Sequence, residues 1–242
     1  MTSRGSTVPE AADVRRLREI ENRLRREYGQ PRHFNPADPL DDLIFLVLSR
    51  MTQEVKYIRT YSRLRDSLST WHAVRDAPPD ELETLIHEAG LAPTKAAQIQ
   101  AILGEIEAQE GRLSLHRLRG METDKVEQYL TSLPGVARKT ALCVMLYTLG
   151  RDVLPVDTHV WRVAQRLGLA PAGQWSEARG RTLEAAVPGE LRGSLHVTMI
   201  AHGRRACRAR APICESCMLV DLCPTAGANP REARHPPQSP PG

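Results

Sequence analysis

Apolar residues recur at helical spacing along nearly the whole chain, and this periodicity restricts the fold more than any other feature. Near the start, Val14, Leu17, Ile20 and Leu24 follow one another at intervals of three or four residues, which places them on one face of a helix. Glycine or proline separates the helical segments, and no run alternates apolar and polar residues as a half-buried strand would. The chain is therefore predicted to be all-α.

The same spacing, together with caps and helix breakers, predicts the helix bounds. Asp38 can cap a helix that begins at Pro39, because its side chain accepts the first amide hydrogens and proline suits the first helical position. Aromatic residues make up only 4% of the chain, which argues against the core of a β-sandwich or barrel. We predict helices over residues 10–28, 39–48, 54–68, 79–88, 94–109, 122–132, 138–149, 158–167, 176–186 and 189–201.

The apolar runs are too short to predict a membrane span. Residues 43–48 form a wholly apolar run of six, whereas a spanning helix needs roughly 20. The first residues do not form an apolar secretory segment. We therefore expect a cytoplasmic protein, associated with the nucleoid if the cell is bacterial. A net charge of +4 and a pI of about 8.9 hint at a polyanionic partner.

Residues 133–137 predict a tight turn between two helices. Pro134 ends the first helix, and Gly135 can take a backbone conformation that is closed to other residues. The next helix then begins with its amide groups pointing out of the turn, an arrangement that binds a phosphate. Such a turn grips the backbone of a nucleic acid without reading its sequence.

Two cations stand in the first turn of the helix after this hairpin. Arg138 and Lys139 oppose the helix dipole there, where a helix built only for stability would carry acidic residues. One interpretation is that both cations neutralise a bound phosphate. The other is that the positive helix end lowers the pKa of Lys139, so that its neutral amine can attack a carbon and form a Schiff base.

Asp157 precedes another predicted helix and also has two interpretations. It can serve only as the N-cap of that helix. Alternatively, a carboxylate fixed in this way at the mouth of a cleft could stabilise positive charge on a substrate carbon or assist a proton transfer.

Four of the five cysteines fall within 17 residues, at Cys207, Cys214, Cys217 and Cys223. Four soft ligands in one short loop suit zinc or an iron–sulfur cluster. Only the middle pair has the short spacing that is typical of structural zinc sites, so the uneven pattern favours a cluster. Cys143 lies in an apolar helical segment and is interpreted as a core residue.

Together these three segments resemble the endonuclease III family of helix-hairpin-helix DNA glycosylases, which carry an iron–sulfur cluster. Residues 133–141 read Leu-Pro-Gly-Val-Ala-Arg-Lys-Thr-Ala and match the family hairpin. Residues 156–159 read Val-Asp-Thr-His and match the segment that carries its catalytic aspartate, while the four clustered cysteines match its cluster ligands. The resemblance covers residues 12–225 approximately.

The resemblance implies a two-domain all-α fold with the active site in the cleft between the domains. Lys139 would lie on one wall of this cleft and Asp157 on the other. The implied boundaries are 1–11 for a disordered N-terminus, 32–151 for a six-helix barrel domain with the hairpin, 12–31 with 152–225 for a discontinuous iron–sulfur domain, and 226–242 for a disordered tail.

The resemblance also implies an activity, which is bifunctional DNA glycosylase and abasic-site lyase chemistry on oxidised pyrimidines. The damaged base would be flipped out of duplex DNA, and Lys139 would attack C1′ and release it. The resulting Schiff base would drive β-elimination and cut the strand. The implied cofactor is a 4Fe-4S cluster, and the implied partner is duplex DNA with a damaged base or an abasic site, bound by a monomer.

Some positions depart from the family pattern where it contacts DNA. Met51 stands in place of a glutamine that fills the gap left by the flipped base, and Arg50 replaces a small residue beside it. Ala137 replaces a glycine, and its methyl group is expected to crowd a phosphate or to force a less favourable backbone angle. The residues expected to contact DNA are Leu133, Gly135, Ala137, Arg138, Met51, Leu91 and Arg204.

Two alternatives remain open on the sequence. A monofunctional mismatch glycosylase of the same superfamily would release a base and leave the backbone intact. A DNA-damage-binding or redox-sensing module without catalysis would bind damaged DNA and turn over nothing.

Overall fold

A computed structural model describes residues 14–29, 34–171 and 173–226, and all regular structure within these ranges is helical. This confirms the predicted all-α class. The predicted disordered N-terminus lies outside the described residues, and so does the predicted tail except for residue 226. The α-helices are α1 (Val14–Tyr28), α2 (Pro39–Ser49), α3 (Glu54–Ser67), α4 (Trp71–Asp76), α5 (Pro79–Ile86), α6 (Ala92–Glu110), α7 (Thr123–Ser132), α8 (Arg138–Tyr147), α9 (Thr158–Arg166), α10 (Glu177–Ala186) and α11 (Gly189–Arg205).

The structure adds short helical segments that the periodicity did not predict. Helix α4 has six residues and follows its N-cap Thr70, whose hydroxyl accepts the amide hydrogen of Ala73 at 3.1 Å. Three 3-10 segments, His87–Ala89, His116–Gly120 and Val220–Leu222, are shorter still. One or two turns contain too few residues to establish a periodic apolar face, so such elements escape a pattern search.

Several helix ends also differ from the prediction, among them those of α8 and α11. Helix α8 ends at Tyr147, two residues early, where the Thr148 hydroxyl donates to the Val144 carbonyl at 2.8 Å. Helix α11 continues to Arg205, four residues beyond its predicted end, although its last turn is largely polar. Polar side chains in a last turn do not contribute to the apolar periodicity, so that periodicity cannot predict where such a helix ends.

The described residues divide into two compact units. One contains residues 34–151 and therefore α2 to α8, and the other combines residues 14–29 with 152–226 and contains α1 and α9 to α11. In the first unit α2 packs against α3, α6 and α8, and its residues from Leu40 to Leu48 are all buried except Asp41, which is half-buried.

In the other unit α1 packs on α11, which also packs on α9. Leu17, Ile20 and Leu24 are completely buried there, as the apolar stripe predicts. Val14 is 44% exposed, because it lies at the end of the described helix rather than over its partners. No described helix combines the length and apolar character that a membrane crossing requires.

Candidate functional site

The hairpin between α7 and α8 has the conformation that its sequence predicts. Gly135 has φ of 67°, and a Cβ atom there would lie 2.7 Å from Nε2 of Gln98. Ala137 precedes α8 with φ of −73° and ψ of 156°, an extended conformation open to any residue. The expectation that Ala137 forces a less favourable backbone angle is therefore wrong. Helix α8 has no side-chain cap, as suits a helix end that receives a phosphate.

The two cations after the hairpin have different surroundings. Arg138 donates to Glu127 on α7 through Nε at 2.7 Å and Nη2 at 3.1 Å, and this ion pair is largely buried. Two parallel hydrogen bonds of this kind fix the angle between the helices of the hairpin. Lys139, the next residue, is exposed. The sequence predicted the position of both cations but not this division of their contacts.

A buried carboxylate that sequence analysis missed lies near Lys139. Asp42, in the first turn of α2, is completely buried and accepts a hydrogen bond from Asn35 Nδ2 at 2.5 Å. Its other oxygen, Oδ2, has no hydrogen-bond partner among the described residues. Burial raises the pKa of Asp42 to about 7, while the Asn35 hydrogen bond and attraction to Lys139 lower it. The only sequence signal was an acidic pair inside an apolar run.

Asp157 occupies the N-cap position predicted for it. One carboxylate oxygen accepts the amide hydrogens of His159 and Val160, each at 2.8 Å. The side chain is half-buried, so its geometry is fixed while part of it faces solvent. Asp157 belongs to the unit with α9, and Lys139 belongs to the unit with α8.

The side chains expected to enter DNA are prominently exposed. Met51 is 93% exposed and Leu91 is 58% exposed. Both have a positive φ, of 53° and 52° respectively, which is uncommon for residues other than glycine. Of the two remaining predicted contacts, Arg204 is exposed in the last turn of α11, whereas the side chain of Leu133 is buried in the core.

Helix α6 connects these segments through side chains that sequence analysis did not single out. Lys95 donates hydrogen bonds to the segment around Met51 and to the one before Leu91. Gln98 accepts from Arg50 Nη1 at 3.0 Å and donates to the Gly135 carbonyl at 2.9 Å. Hydrogen bonds of Lys95 and Gln98 on α6 thus connect the segments that carry the two exposed apolar side chains with the hairpin, all within one unit.

The four clustered cysteines line one cavity in the other unit. Its empty volume is about 400 Å³, including space open to solvent, and Arg166, His202 and Leu219 also line it. Arg166 Nη1 donates to Cys207 Sγ at 3.2 Å, and the Leu219 amide donates to Cys217 Sγ at 3.4 Å. The bond from Leu219 favours the thiolate form of Cys217, which is the form that ligates a metal. Burial raises the pKa of Cys217, so a bound cation would be needed to keep that thiol ionised.

The comparisons with known proteins agree on one family. Residues 44–188 match the model of the HhH-GPD superfamily of base excision DNA repair proteins. The chain is 33% identical to endonuclease III of Thermotoga maritima over 80% of its own length and 86% of that protein. It is 32% identical to endonuclease III of Escherichia coli over 85% of its length and 93% of that protein.

This chain belongs to the endonuclease III family. A protein named as a DNA glycosylase in Arabidopsis thaliana is 32% identical over 78% of this chain, and the match spans 65% of that longer protein. Among solved structures, a non-covalent endonuclease III–DNA complex aligns with a TM-score of 0.75 and 30% identity, covering 88% of this chain and 95% of that one. The endonuclease III fold is therefore present here almost in full.

Proposed function

We propose that this endonuclease III family member is a bifunctional base excision repair enzyme, which removes oxidised pyrimidines from duplex DNA and then cleaves the strand. The observation that carries the proposal is Lys139, an exposed amine in the first turn of the helix that follows the hairpin. A helix start of this kind holds a DNA phosphate, so the amine is placed beside the sugar that follows it. The substrate would place the enzyme's action at the DNA, in the cytoplasm and at the nucleoid if the cell is bacterial.

The proposed reaction begins with a neutral amine at Lys139. Its nitrogen attacks C1′ of the flipped nucleotide, and the bond between C1′ and the base breaks, with the electron pair leaving on the base. The sugar ring opens to an imine between C1′ and Nζ. Removal of a proton from C2′ then expels the 3′ phosphate by β-elimination, and water finally hydrolyses the imine to return the amine.

Asp157 is proposed to act with the same carboxylate that caps α9. Two amide hydrogen bonds fix the direction of the carboxylate. An ionised carboxylate at a fixed position stabilises the positive charge that develops on the sugar as the base departs. A cap and a catalytic group are therefore compatible functions of one side chain.

The DNA contacts are proposed to come from three segments of the unit containing α8. The exposed hairpin residues Gly135 and Ala137 would take the phosphate backbone, and the buried Leu133 would do so only through its main chain, while Met51 and Leu91 would enter the base stack. Arg138 would support the hairpin through Glu127 beside the phosphate. Arg204 in the other unit would add a further phosphate contact.

A 4Fe-4S cluster is proposed at Cys207, Cys214, Cys217 and Cys223. All four thiols line one cavity, which supports a shared ligand, and thiolates are the ligands that such clusters use. Among the described residues, no three His, Cys, Asp or Glu side chains are grouped to hold a single metal ion. Bound there, the cluster would supply folding energy to a loop with little apolar content and display its arginines to DNA. Iron analysis and absorbance in the blue test this assignment, and colourless zinc-bearing protein would contradict it.

The experiment that tests the activity is borohydride trapping on duplex DNA with one oxidised pyrimidine, beside undamaged and abasic duplexes. Borohydride reduces the imine to a stable amine, which links the protein to the DNA. The chain has only four lysines, Lys56, Lys95, Lys125 and Lys139, so peptide mass spectrometry can assign the adduct. We expect the adduct at Lys139, its loss in Lys139→Gln and its retention in the matched variant Lys125→Gln.

The other outcomes separate the alternatives. An adduct at the abasic site alone would retain the lyase and assign a different lesion. Base release without an adduct or strand cleavage would favour a monofunctional mismatch glycosylase. Binding of damaged DNA without turnover across a lesion panel would favour a module without catalysis.

A further inference from the structure

Lys95 is a buried cation held entirely by uncharged oxygens among the contacts that the structure describes. The side chain belongs to α6 and the residue is only 3% exposed. Its ammonium donates to the carbonyls of Leu48 at 2.7 Å, Arg50 at 2.8 Å and Ala89 at 2.8 Å, and to Thr52 Oγ1 at 2.9 Å. An ammonium has three hydrogens, so at least one of them is shared between two of these four oxygens.

These oxygens belong to two separate segments of the chain. Leu48, Arg50 and Thr52 form the exit from α2, whereas Ala89 ends the 3-10 segment that precedes α6. The Thr52 hydroxyl also hydrogen-bonds to the Ala89 carbonyl. The ammonium of Lys95 and the hydroxyl of Thr52 therefore connect the two segments by hydrogen bonds.

Each joined segment carries an exposed apolar side chain on a strained backbone. Met51, with φ of 53°, follows Arg50, and Leu91, with φ of 52°, stands two residues after Ala89. A left-handed conformation is unfavourable for a residue that carries a side chain. Neither exposed side chain recovers this cost by burial in the fold, so the surrounding contacts must impose both conformations.

Burial of a cation at this position would be energetically unfavourable if the side chain only filled space. Burial, with a smaller contribution from Arg50, lowers the pKa of Lys95 to about 8. The residue also lies in the first turn of α6, where the helix dipole disfavours a positive charge. An apolar side chain of similar length would fill the same space without either penalty. The ammonium is explained by what it joins.

We propose that Lys95 is a positioning residue that holds Met51 and Leu91 at the spacing at which the two side chains enter one unstacked step of duplex DNA. This inference rests on the proposed function. Gln98, one turn further along α6, extends the arrangement by joining Arg50 to the Gly135 carbonyl of the hairpin. The same helix thus sets the two inserted side chains in register with the phosphate-binding turn.

The first test measures the connection itself on protein without DNA. Lys95→Met keeps most of the length of the side chain and removes its charge, and Lys125→Met is the matched control at an exposed lysine of the same unit. We expect amide hydrogen exchange in residues 49–53 and 89–92 to accelerate by about tenfold or more in Lys95→Met and to stay unchanged in Lys125→Met. Unchanged exchange in folded Lys95→Met would overturn the proposal even if the enzyme proves to be active.

The second test is a mutant cycle in single-turnover base release from duplex DNA with an oxidised pyrimidine. We expect Lys95→Met to slow release by about tenfold or more in the wild-type background, and by less than about twofold when Met51 and Leu91 are both alanine. A residue that only stabilised the fold would slow both backgrounds equally, and that additive result would refute the positioning role.

A variant that keeps the buried charge covers the case in which Lys95→Met fails to fold. Thr52→Val removes the hydroxyl that bridges Lys95 and Ala89 and should give the same non-additive pattern at a smaller size. Additive effects of Thr52→Val would contradict the proposal. If the wild type releases no base from any lesion, the proposed function fails, while the hydrogen-exchange result still decides whether Lys95 joins the two segments.

Discussion

Variants of Asp42 can measure how much a buried carboxylate lowers the free energy of unfolding of this protein. The side chain is completely buried, and burial raises its pKa from 3.8 to about 7. At about 1.4 kcal/mol per pKa unit, the ionised form lowers the free energy of unfolding by about 4 kcal/mol above neutral pH. Because the folded-state value is the higher one, this contribution is favourable below pH 3.8 and is lost as the pH rises through about 7.

Asp42→Asn should remove most of that loss. The asparagine oxygen can still accept the hydrogen bond from Asn35, but its amide would replace Oδ2, which has no partner among the described residues. An unsatisfied buried amide costs about 1–2 kcal/mol, so we expect the variant to be more stable by about 2–3 kcal/mol at about pH 8. Near pH 4 the aspartate is protonated in the folded state, and the advantage should disappear.

Urea unfolding followed by circular dichroism between about pH 5 and pH 8 measures this difference. Asp66→Asn, at an exposed carboxylate of α3, is the matched control and should stay within about 0.5 kcal/mol of the wild type at each pH. Parallel stability curves for the wild type and Asp42→Asn would refute the reasoning.

Three further predictions test the other parts of the site. Asp157→Asn should keep the free energy of unfolding within about 0.5 kcal/mol of the wild type, because asparagine caps a helix as well as aspartate. It should nevertheless slow base release at least about a hundredfold, and a loss of rate matched by a loss of stability would contradict this. Leu91→Asn should leave thermal stability unchanged or raise it by about 1 kcal/mol, since asparagine tolerates a positive φ, and should slow release from damaged duplex; undiminished release would exclude Leu91 from the DNA contact. Cys214→Ala should lower soluble yield and bound iron more than the specific activity of the protein that folds, and a well-folded, iron-free and fully active variant would disprove the structural role of the cluster.

Local physics explains why much of the fold could be predicted. Helical periodicity, caps and breakers depend on neighbouring residues, so the bounds of α2 and α9 follow from Asp38 and Asp157 within the sequence itself. The hairpin could be predicted for the same reason, since proline restricts the backbone conformation and glycine allows more conformations wherever they occur. The resemblance to the endonuclease III family also depended on such local segments, and the comparisons confirm it.

Tertiary structure decided the surroundings of those residues. Asp42 and Lys139 lie 97 positions apart, and their attraction exists only because α2 packs against α8. Lys95 reads as an ordinary polar residue of α6 until folding places the ends of two distant segments around its ammonium. Sequence alone thus determined most of the helices and where reactive groups stand along them. Packing determined which charges are buried together, because desolvation and hydrogen bonding depend on neighbours in space rather than along the chain.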